Sequence, residues 1–237
     1  MIIYGFHACK SAASSGKNII KAYIIDKKTI PDWLKSINKN KILQLEKASF
    51  EAMLPKDSVH QGIALEIEDI TYSNIEDLHN TNNNCTIAIL DNVTDPHNFG
   101  AIIRTAAVFG ISHIVIPEKS SCKVTPTTIK VASGGLDHVN IIIVKNLSQA
   151  IKKLKQYGFW IVALCEKGDQ FLDEIDLTGK TALILGAEGA GIRRLQQENA
   201  DFTAKIRTSN SFSTLNVSTS AAVSFYEAAK QNGFNFL

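Results

Sequence analysis

Short apolar runs alternate along the chain with amphipathic stretches, and this pattern predicts alternating strands and helices. The strands are predicted at residues 2–4, 22–25, 62–67, 87–90, 114–116, 139–144, 160–164 and 182–185. The helices are predicted near residues 7–14, 31–37, 46–53, 99–109, 125–132, 147–157, 191–197 and 216–230. In the longer second part this alternation is typical of an α/β fold, a mostly parallel sheet with helices on both faces. Ligands of such sheets bind beyond the carboxyl ends of the strands.

Charge divides the chain into two modules. Residues 1–62 hold ten lysines and five acidic residues, whereas residues 63–80 hold five acidic residues and no lysine or arginine. The Asn-Thr-Asn-Asn-Asn run that follows has little to bury. We therefore predict a small basic α/β domain over 1–70, a linker over 71–84 and a larger domain over 85–237. The basic domain either attracts a phosphate backbone or only presents a solvated lysine face.

Composition narrows the function classes. The chain has 237 residues, of which 45% are hydrophobic and 20% charged, the balance of a globular protein. No apolar run approaches the 18 or so residues of a membrane helix, and no secretory signal is evident. The four cysteines form no C-x-x-C pair, so we expect no zinc ribbon or other metal site and a reducing, cytoplasmic location.

The first segment of interest follows the strand predicted at 87–90. A polar loop with Pro96 leads into a helix that is apolar on nearly all sides and is therefore expected to be buried. Asn98 could simply cap this helix. Arg104 stands in its middle, in a chain with only four arginines, and a buried guanidinium must meet an anion or carbonyl groups. Arg104 is either a structural ion-pair partner or a group that faces a phosphate or a reacting hydroxyl.

The second segment is a glycine-rich turn after the strand predicted at 182–185. Gly186, Gly189 and Gly191 allow positive φ angles and close approach to a ligand, and Glu188 stands among them. The spacing is G-x-x-G-x-G and not the dinucleotide pattern G-x-G-x-x-G, which disfavours a nicotinamide site. Glu188 is either an exposed turn residue or a carboxylate beside a reaction centre.

The third segment, residues 206–229, is a loop of Ser, Thr and Asn that leads into a helix rich in small residues. Such a loop can hydrogen-bond a ligand or only its own backbone.

Taken in this order, the three segments resemble the SpoU branch of the SPOUT (TrmH-like) RNA methyltransferases, over about residues 85–230. The family pattern N-x-G-x-x-x-R is matched by Asn98, Gly100 and Arg104. The pattern G-x-E-G-x-G is matched by Gly186, Glu188, Gly189 and Gly191. The pattern S-L-N-V-S is matched by Thr214, Leu215, Asn216, Val217 and Ser218. Thr214 replaces the usual Ser. Arg207-Thr208 stand where Pro-Met is common, and Thr219-Ser220 where Val-Ala is common, which bears on cofactor affinity.

The first domain resembles the N-terminal substrate-binding domain of this branch, which is similar to a ribosomal-protein fold. Tyr-Gly-Phe-His-Ala at 4–8 and Val-His-Gln-Gly-Ile at 59–63 carry that likeness. It favours the bacterial members that methylate a guanosine ribose of 23S ribosomal RNA. A transfer-RNA-directed relative usually lacks this domain.

The resemblance implies a trefoil-knotted domain that binds S-adenosylmethionine in the knot, acts as a homodimer and transfers a methyl group to a ribose 2′-OH of RNA. The catalytic residues it implies are Arg104, Asn98, Glu188 and Asn216, and the cofactor-binding residues are Gly186, Ile206 and Leu215. From the cysteine spacing and the short apolar runs we expect no metal and no membrane partner. Two other classes stay open, a non-catalytic RNA-binding protein of the same fold and a nucleotide-dependent oxidoreductase.

Overall fold

The computed structural model describes residues 1–14, 18–26, 30–35, 37–209 and 214–234. Its strands are β1 Ile2–Tyr4, β2 Ile19–Ile24, β3 Ile42–Gln44, β4 Ile63–Ile67, β5 Cys85–Asp91, β6 His113–Pro117, β7 Asn140–Val144, β8 Trp160–Leu164, β9 Gln170–Phe171, β10 Lys180–Gly186 and β11 Phe202–Lys205. Its helices are α1 Phe6–Ser14, α2 Asp32–Lys35, α3 Lys47–Ala52, α4 Pro96–Val108, α5 Pro126–Ala132, α6 Leu147–Gln156, α7 Arg194–Glu198 and α8 Val217–Gln231.

The first domain contains a four-stranded sheet in the order β1-β4-β2-β3. β4 pairs antiparallel with β1 and β2, and β3 pairs parallel with β2. α1 lies against this sheet through Ala8, Cys9 and Ala12, which are all buried. The strand β3 was not predicted, because three residues are too few to show a period and only the pairing with β2 makes them a strand.

The second domain contains a seven-stranded sheet in the order β7-β6-β5-β10-β8-β11-β9, and every pair in it is parallel. The predicted α/β class with a mostly parallel sheet is therefore confirmed. The two strands at one edge, β9 and β11, were missed because they are short and partly polar. β10 lies at the centre of the sheet, so its carboxyl end is flanked by the ends of β5 and β8.

The two faces of this sheet belong to different packing clusters. On β5, Ala88 and Leu90 join the cluster that α4, α5 and α8 cover, whereas Ile87 and Ile89 join the one that α6 covers. The first cluster continues into the first domain, because α1 packs on α5. The first domain therefore sits against the same side of the molecule as α4 and α5.

The predicted linker over 71–84 is more closely packed than its composition indicates. A 3-10 turn spans Ile75–Asn80, Leu78 in it is fully buried, and Ser73 bridges to Ile142 of β7. Leu78 packs in the cluster that α6 covers, and together with the bridge at Ser73 it holds the segment to the second sheet.

Two predicted helix starts are wrong by a few residues. α4 begins at Pro96, because Asp95 accepts the backbone N–H groups of His97 and Asn98 and so caps the helix. α7 begins only at Arg194, since the glycine turn before it continues to Ile192. In the described part of the chain, no helix is long and apolar enough to cross a bilayer.

Candidate active site

A cleft of about 770 Å³ opens beyond the carboxyl ends of β8, β10 and β11, where a parallel sheet is expected to bind its ligand. Its size is that of a typical small-molecule site. Its walls are residues 164–167 after β8, the turn 185–192 after β10, residues 203–208 at and after β11, and residues from the start of α8. We call it the glycine-loop cleft.

Glycines are required where the backbone folds back on itself in this cleft. A Cβ atom at Gly186 would lie 2.1 Å from the carbonyl carbon of Gly191, and one at Gly168 would lie 2.3 Å from the carbonyl carbon of Ala204. Ala187 and Gly191 exchange backbone hydrogen bonds of 3.2 and 2.8 Å, which close the turn. Gly189 and Gly191 have positive φ angles with open space around their α-carbons. The turn is therefore tightly closed at its base and open at its tip.

An ion pair between a buried carboxylate and a half-exposed guanidinium fastens the end of this turn to the neighbouring strand. Asp91, the last residue of β5, is fully buried and lies opposite Gly186 in the sheet. Its carboxylate accepts the backbone N–H of Arg193 at 2.9 Å and Nε at 2.8 Å, with another guanidinium nitrogen at 2.6 Å. Sequence reasoning missed this pair. The scarcity of arginine was the available signal, and an acidic residue closing an apolar strand was a second.

Glu188 joins the first and third motifs. Its Oε2 accepts the side-chain amide of Asn98 at 3.4 Å and that of Asn216 at 3.3 Å. Asn216 caps α8 with its oxygen, which accepts the backbone N–H of Ser218, so its NH₂ group is left for Glu188. Because Asp95 caps α4, Asn98 is not the cap that the sequence allowed, and its amide also faces Glu188.

Arg104 is not part of this cluster in the single chain. The α4 helix is buried on one side only, and Arg104 lies on its open side, so the expectation that Arg104 is buried is wrong. It makes no hydrogen bond or ion pair with another described residue, and it lines a second cleft that shares no residue with the first. The apolar sequence misled here because alanines are tolerated on an exposed helix face.

The three predicted cofactor residues, Gly186, Ile206 and Leu215, all line the glycine-loop cleft. Beside them, Arg207 makes hydrogen bonds to Asp173 at 3.0 Å and stacks on the ring of Phe171 at 3.8 Å. This hydrogen bond lowers the pKa of Asp173. The unusual arginine therefore anchors the cleft wall to the β9 edge. Residues 210–213 of the predicted loop lie outside the described residues.

The thiols of two cysteines, Cys165 and Cys9, have raised pKa values. Cys165 lines the glycine-loop cleft, and burial raises the pKa of its thiol, with nearby Asp169 adding to the rise. Cys9 is buried under the first sheet, and desolvation raises its pKa to about 12. Over the described ranges, no group of three His, Cys, Asp or Glu side chains is arranged to hold a metal ion.

Two family models match this chain. The model of the SpoU rRNA Methylase family matches residues 86–226, and the model for RNA 2′-O ribose methyltransferase substrate binding matches residues 2–73. The chain belongs to the SpoU rRNA Methylase family.

Curated relatives of this family match along almost the whole chain. The 23S rRNA (guanosine-2′-O-)-methyltransferase RlmB of Pseudomonas putida is 33% identical, over 97% of this chain and 96% of its own. RlmB of Coxiella burnetii is 34% identical, over 97% and 95%. Among solved structures, the SpoU methyltransferase AviRb from Streptomyces viridochromogenes, in complex with AdoMet, has the same fold with a TM-score of 0.83 and 19% identity, over 98% of this chain and 90% of that one. This chain is thus a methyltransferase whose N-terminal part matches the family's substrate-binding model.

Proposed function

We propose that this protein transfers a methyl group from S-adenosylmethionine to the ribose 2′-OH of a guanosine in 23S ribosomal RNA. The observation that carries the proposal is the junction of three distant segments at Glu188, which lines the glycine-loop cleft and accepts hydrogen bonds from both Asn98 and Asn216. The relatives that match over nearly their full length are named for this reaction. A single chain of 237 residues supplies both the cleft and the domain that resembles a substrate-binding module.

The glycine-loop cleft suits S-adenosylmethionine chemically. Leu185, Ile206 and Leu215 offer apolar surface to an adenosine ring, while Glu166 and Glu188 offer negative charge to a sulfonium. When bound, the cofactor supplies a methyl group on a positively charged sulfur. Gly186, Ile206 and Leu215 would hold its adenosine part from the base of the turn and the wall opposite.

The residues of the chain must bring a ribose hydroxyl to this methyl group and stabilise the oxygen as it loses its proton. The Oε1 atom of Glu188 has no hydrogen-bond partner among the described residues, so it can accept the hydroxyl proton or orient the ribose. Asn98 and Asn216 hold the other oxygen of that carboxylate. Arg104 stabilises the developing alkoxide by its charge, because a guanidinium remains protonated.

A homodimer accounts for the separation of Arg104 from this cluster. Val108, one turn after Arg104, is 60% exposed, and Val223 and Tyr226 on the neighbouring helix α8 are 39% and 48% exposed. Such an apolar face is typical of a contact between copies. We propose that a second copy docks on this face of α4 and α8, directly beside Arg104, and that the complete site forms there.

Replacing Val108 with Asp tests the dimer. We expect the variant to sediment as a monomer and to lose methyl transfer. Leu195 on α7 is 56% exposed, and L195D is the matched control that keeps both properties. A V108D variant that stays dimeric would contradict the proposed face.

Replacing Arg104 with Ala tests the catalytic assignment. Loss of a charge aimed at the reacting oxygen is expected to lower turnover on 23S transcripts about 100-fold or more, with affinity for S-adenosylmethionine retained. Arg194, which pairs on the surface with Glu198, provides the control R194A, whose turnover should be normal. An R104A variant that methylates at the wild-type rate would contradict the role of Arg104.

Methylation mapping in ribosomal and transfer RNA of a deletion strain distinguishes the ribosomal substrate from a transfer-RNA substrate. Calorimetry with S-adenosylmethionine distinguishes the enzyme from a non-catalytic RNA-binding protein of the same fold. We also retain as proposals a trefoil knot around the cleft, a cytoplasmic location and the division at 1–70, 71–84 and 85–237.

A further inference from the structure

A second cleft of about 500 Å³ lies between the two domains, and the proposed reaction and dimer use only Arg104 and Val108 of its lining. One wall is α1 of the first domain, and the other is formed by α4 and the turn at 133–138. Its described lining is Ser11, Ser14, Arg104, Ala107, Val108, Ala132, Ser133, Gly134, Gly135, Asp137 and His138. We call it the interdomain cleft.

The α1 wall carries a polar stripe without any acidic group. His7, Lys10, Ser11 and Ser14 follow one another at helical spacing, so they lie on one face of α1. His7, Lys10 and Ser14 are exposed and Ser11 is half-buried. The buried residues of α1 occupy its opposite side, so this face is not needed for the core of the first domain.

The opposite wall is held rigidly against α4. Gly135 packs so closely that a Cβ atom there would lie 3.0 Å from the Cα of Arg104. Ser133 and Gly134 have positive φ angles, and a Cβ on Gly134 would lie 3.8 Å from Oγ of Ser11. The turn therefore meets α1 at Ser11 and presents the exposed side chains of Ser133 and His138 beside it.

The charge in this cleft favours an anion. Arg104 is an exposed cation in the lining, and Lys10 is an exposed cation on the same face of α1 as the lining residues Ser11 and Ser14. Asp137 is the one acidic residue among the described lining residues and is already engaged in an interaction. Hydroxyl, imidazole, ammonium and guanidinium groups are the side chains that contact RNA phosphates and sugars. A groove with one wall from each domain also lets a single strand touch both.

We infer that the interdomain cleft binds the sugar-phosphate backbone of the RNA next to the target nucleotide, with Lys10, Ser11 and Ser14 on one side and Ser133 and His138 on the other. This inference rests on the proposed function. It assigns α1 as the element that leads the RNA from the first domain towards Arg104. Contacts of this kind carry little sequence information, so they position the strand and do not choose the base.

The test uses full-length K10E and S14D variants, singly and combined, because both side chains are exposed and their replacement leaves the core unchanged. Lys152 on α6 is an exposed lysine on the other face of the sheet, and K152E is the charge-matched control. Binding of labelled 23S transcripts is measured by anisotropy across a salt series, with KM for RNA, turnover at saturating RNA and affinity for S-adenosylmethionine measured alongside.

We expect the combined variant to raise the Kd and the KM for RNA about tenfold at low salt. The salt dependence should fall by about one phosphate contact, that of Lys10, because the Ser14 hydroxyl carries no charge. Turnover at saturating RNA and cofactor affinity should stay within twofold of wild type, and K152E should behave as wild type.

Unchanged RNA binding and KM, in a folded variant that still methylates, would overturn the inference while the proposed function stands. Loss of the dimer with unchanged RNA binding would overturn it in favour of a contact between copies. If the wild type bound 23S transcripts and methylated none, while the variants lost binding, the cleft would stand and the proposed function would fail.

Discussion

The two clefts of this protein are built in different ways. At the glycine-loop cleft, polar side-chain contacts join residues that are far apart in the sequence. These contacts are Asp91 with Arg193, Glu188 with Asn98 and Asn216, and Arg207 with Asp173. The walls of the interdomain cleft meet through packing of α1 on α5 and of Gly135 on α4.

This difference matches the two ligands proposed. A small cofactor that is identical in every cycle is best bound by a preformed site, because a preformed site loses little conformational entropy when the cofactor binds. A long RNA that must enter and leave is better served by an open groove lined with exposed polar groups. The comparison predicts that changes in the first cleft act on cofactor affinity, whereas changes in the second act on RNA.

The largest effect is expected from Gly186→Ala. The added Cβ cannot fit beside the backbone of Gly191 and Ile192, so the turn must shift, and a shift of about 1 Å can cost on the order of 100-fold. We expect a loss of this size in methyl transfer, together with weaker binding of S-adenosylmethionine in calorimetry and retained RNA binding. Gly189→Ala is the control for backbone strain, since it adds the same atom in open space at a φ of +78°, so we expect a smaller loss than in Gly186→Ala. Equal losses in both variants would show that the close approach is not what matters.

A smaller effect is expected from Asp91→Asn. The substitution keeps the size of the side chain but removes the charge that holds the guanidinium and backbone N–H of Arg193. We expect KM for S-adenosylmethionine to rise about tenfold, with KM for RNA unchanged, because only the end of the glycine turn loosens. Asp32→Asn is the matched control, because Asp32 forms an exposed ion pair with Lys35 in the first domain, and such a pair contributes little to stability in water. A loss of thermal stability with normal cofactor KM would assign the pair a structural role alone.

The smallest effect is expected in the reactivity of Cys165. Because its pKa is raised, less thiolate is present at neutral pH, and alkylation should accelerate as the pH rises towards that pKa. S-adenosylmethionine should slow this alkylation several-fold by covering the cleft wall, as mass spectrometry of the modified peptide can measure. RNA alone should leave the rate unchanged. Cys122, half-buried and outside the cleft, reports any general effect. Equal protection of both cysteines would contradict a cofactor at this wall.

Sequence reasoning reached the elements of the second domain because their signals are local. Strands β5 to β8 and β10 carry continuous apolar runs, and the glycines at 186–191 predict a turn because glycine favours turns. It missed β9 and β11, which are strands only because a neighbour pairs with them. It also missed the Asp91–Arg193 pair, since 102 residues separate two groups whose contact nothing local specifies.

By itself, the amino-acid sequence determined the fold class, the family resemblance and the residues Asn98, Glu188 and Asn216 that now lie together. Periodicity and residue type are properties of short stretches of chain, so they can be recognised from the sequence without the tertiary structure. Only the tertiary structure decided that Arg104 is exposed on a one-sided helix and opens into a separate cleft. Which face of a helix stays uncovered depends on what packs against it, and here α5, α8 and the turn at 133–138 pack on α4 but leave the Arg104 side chain exposed.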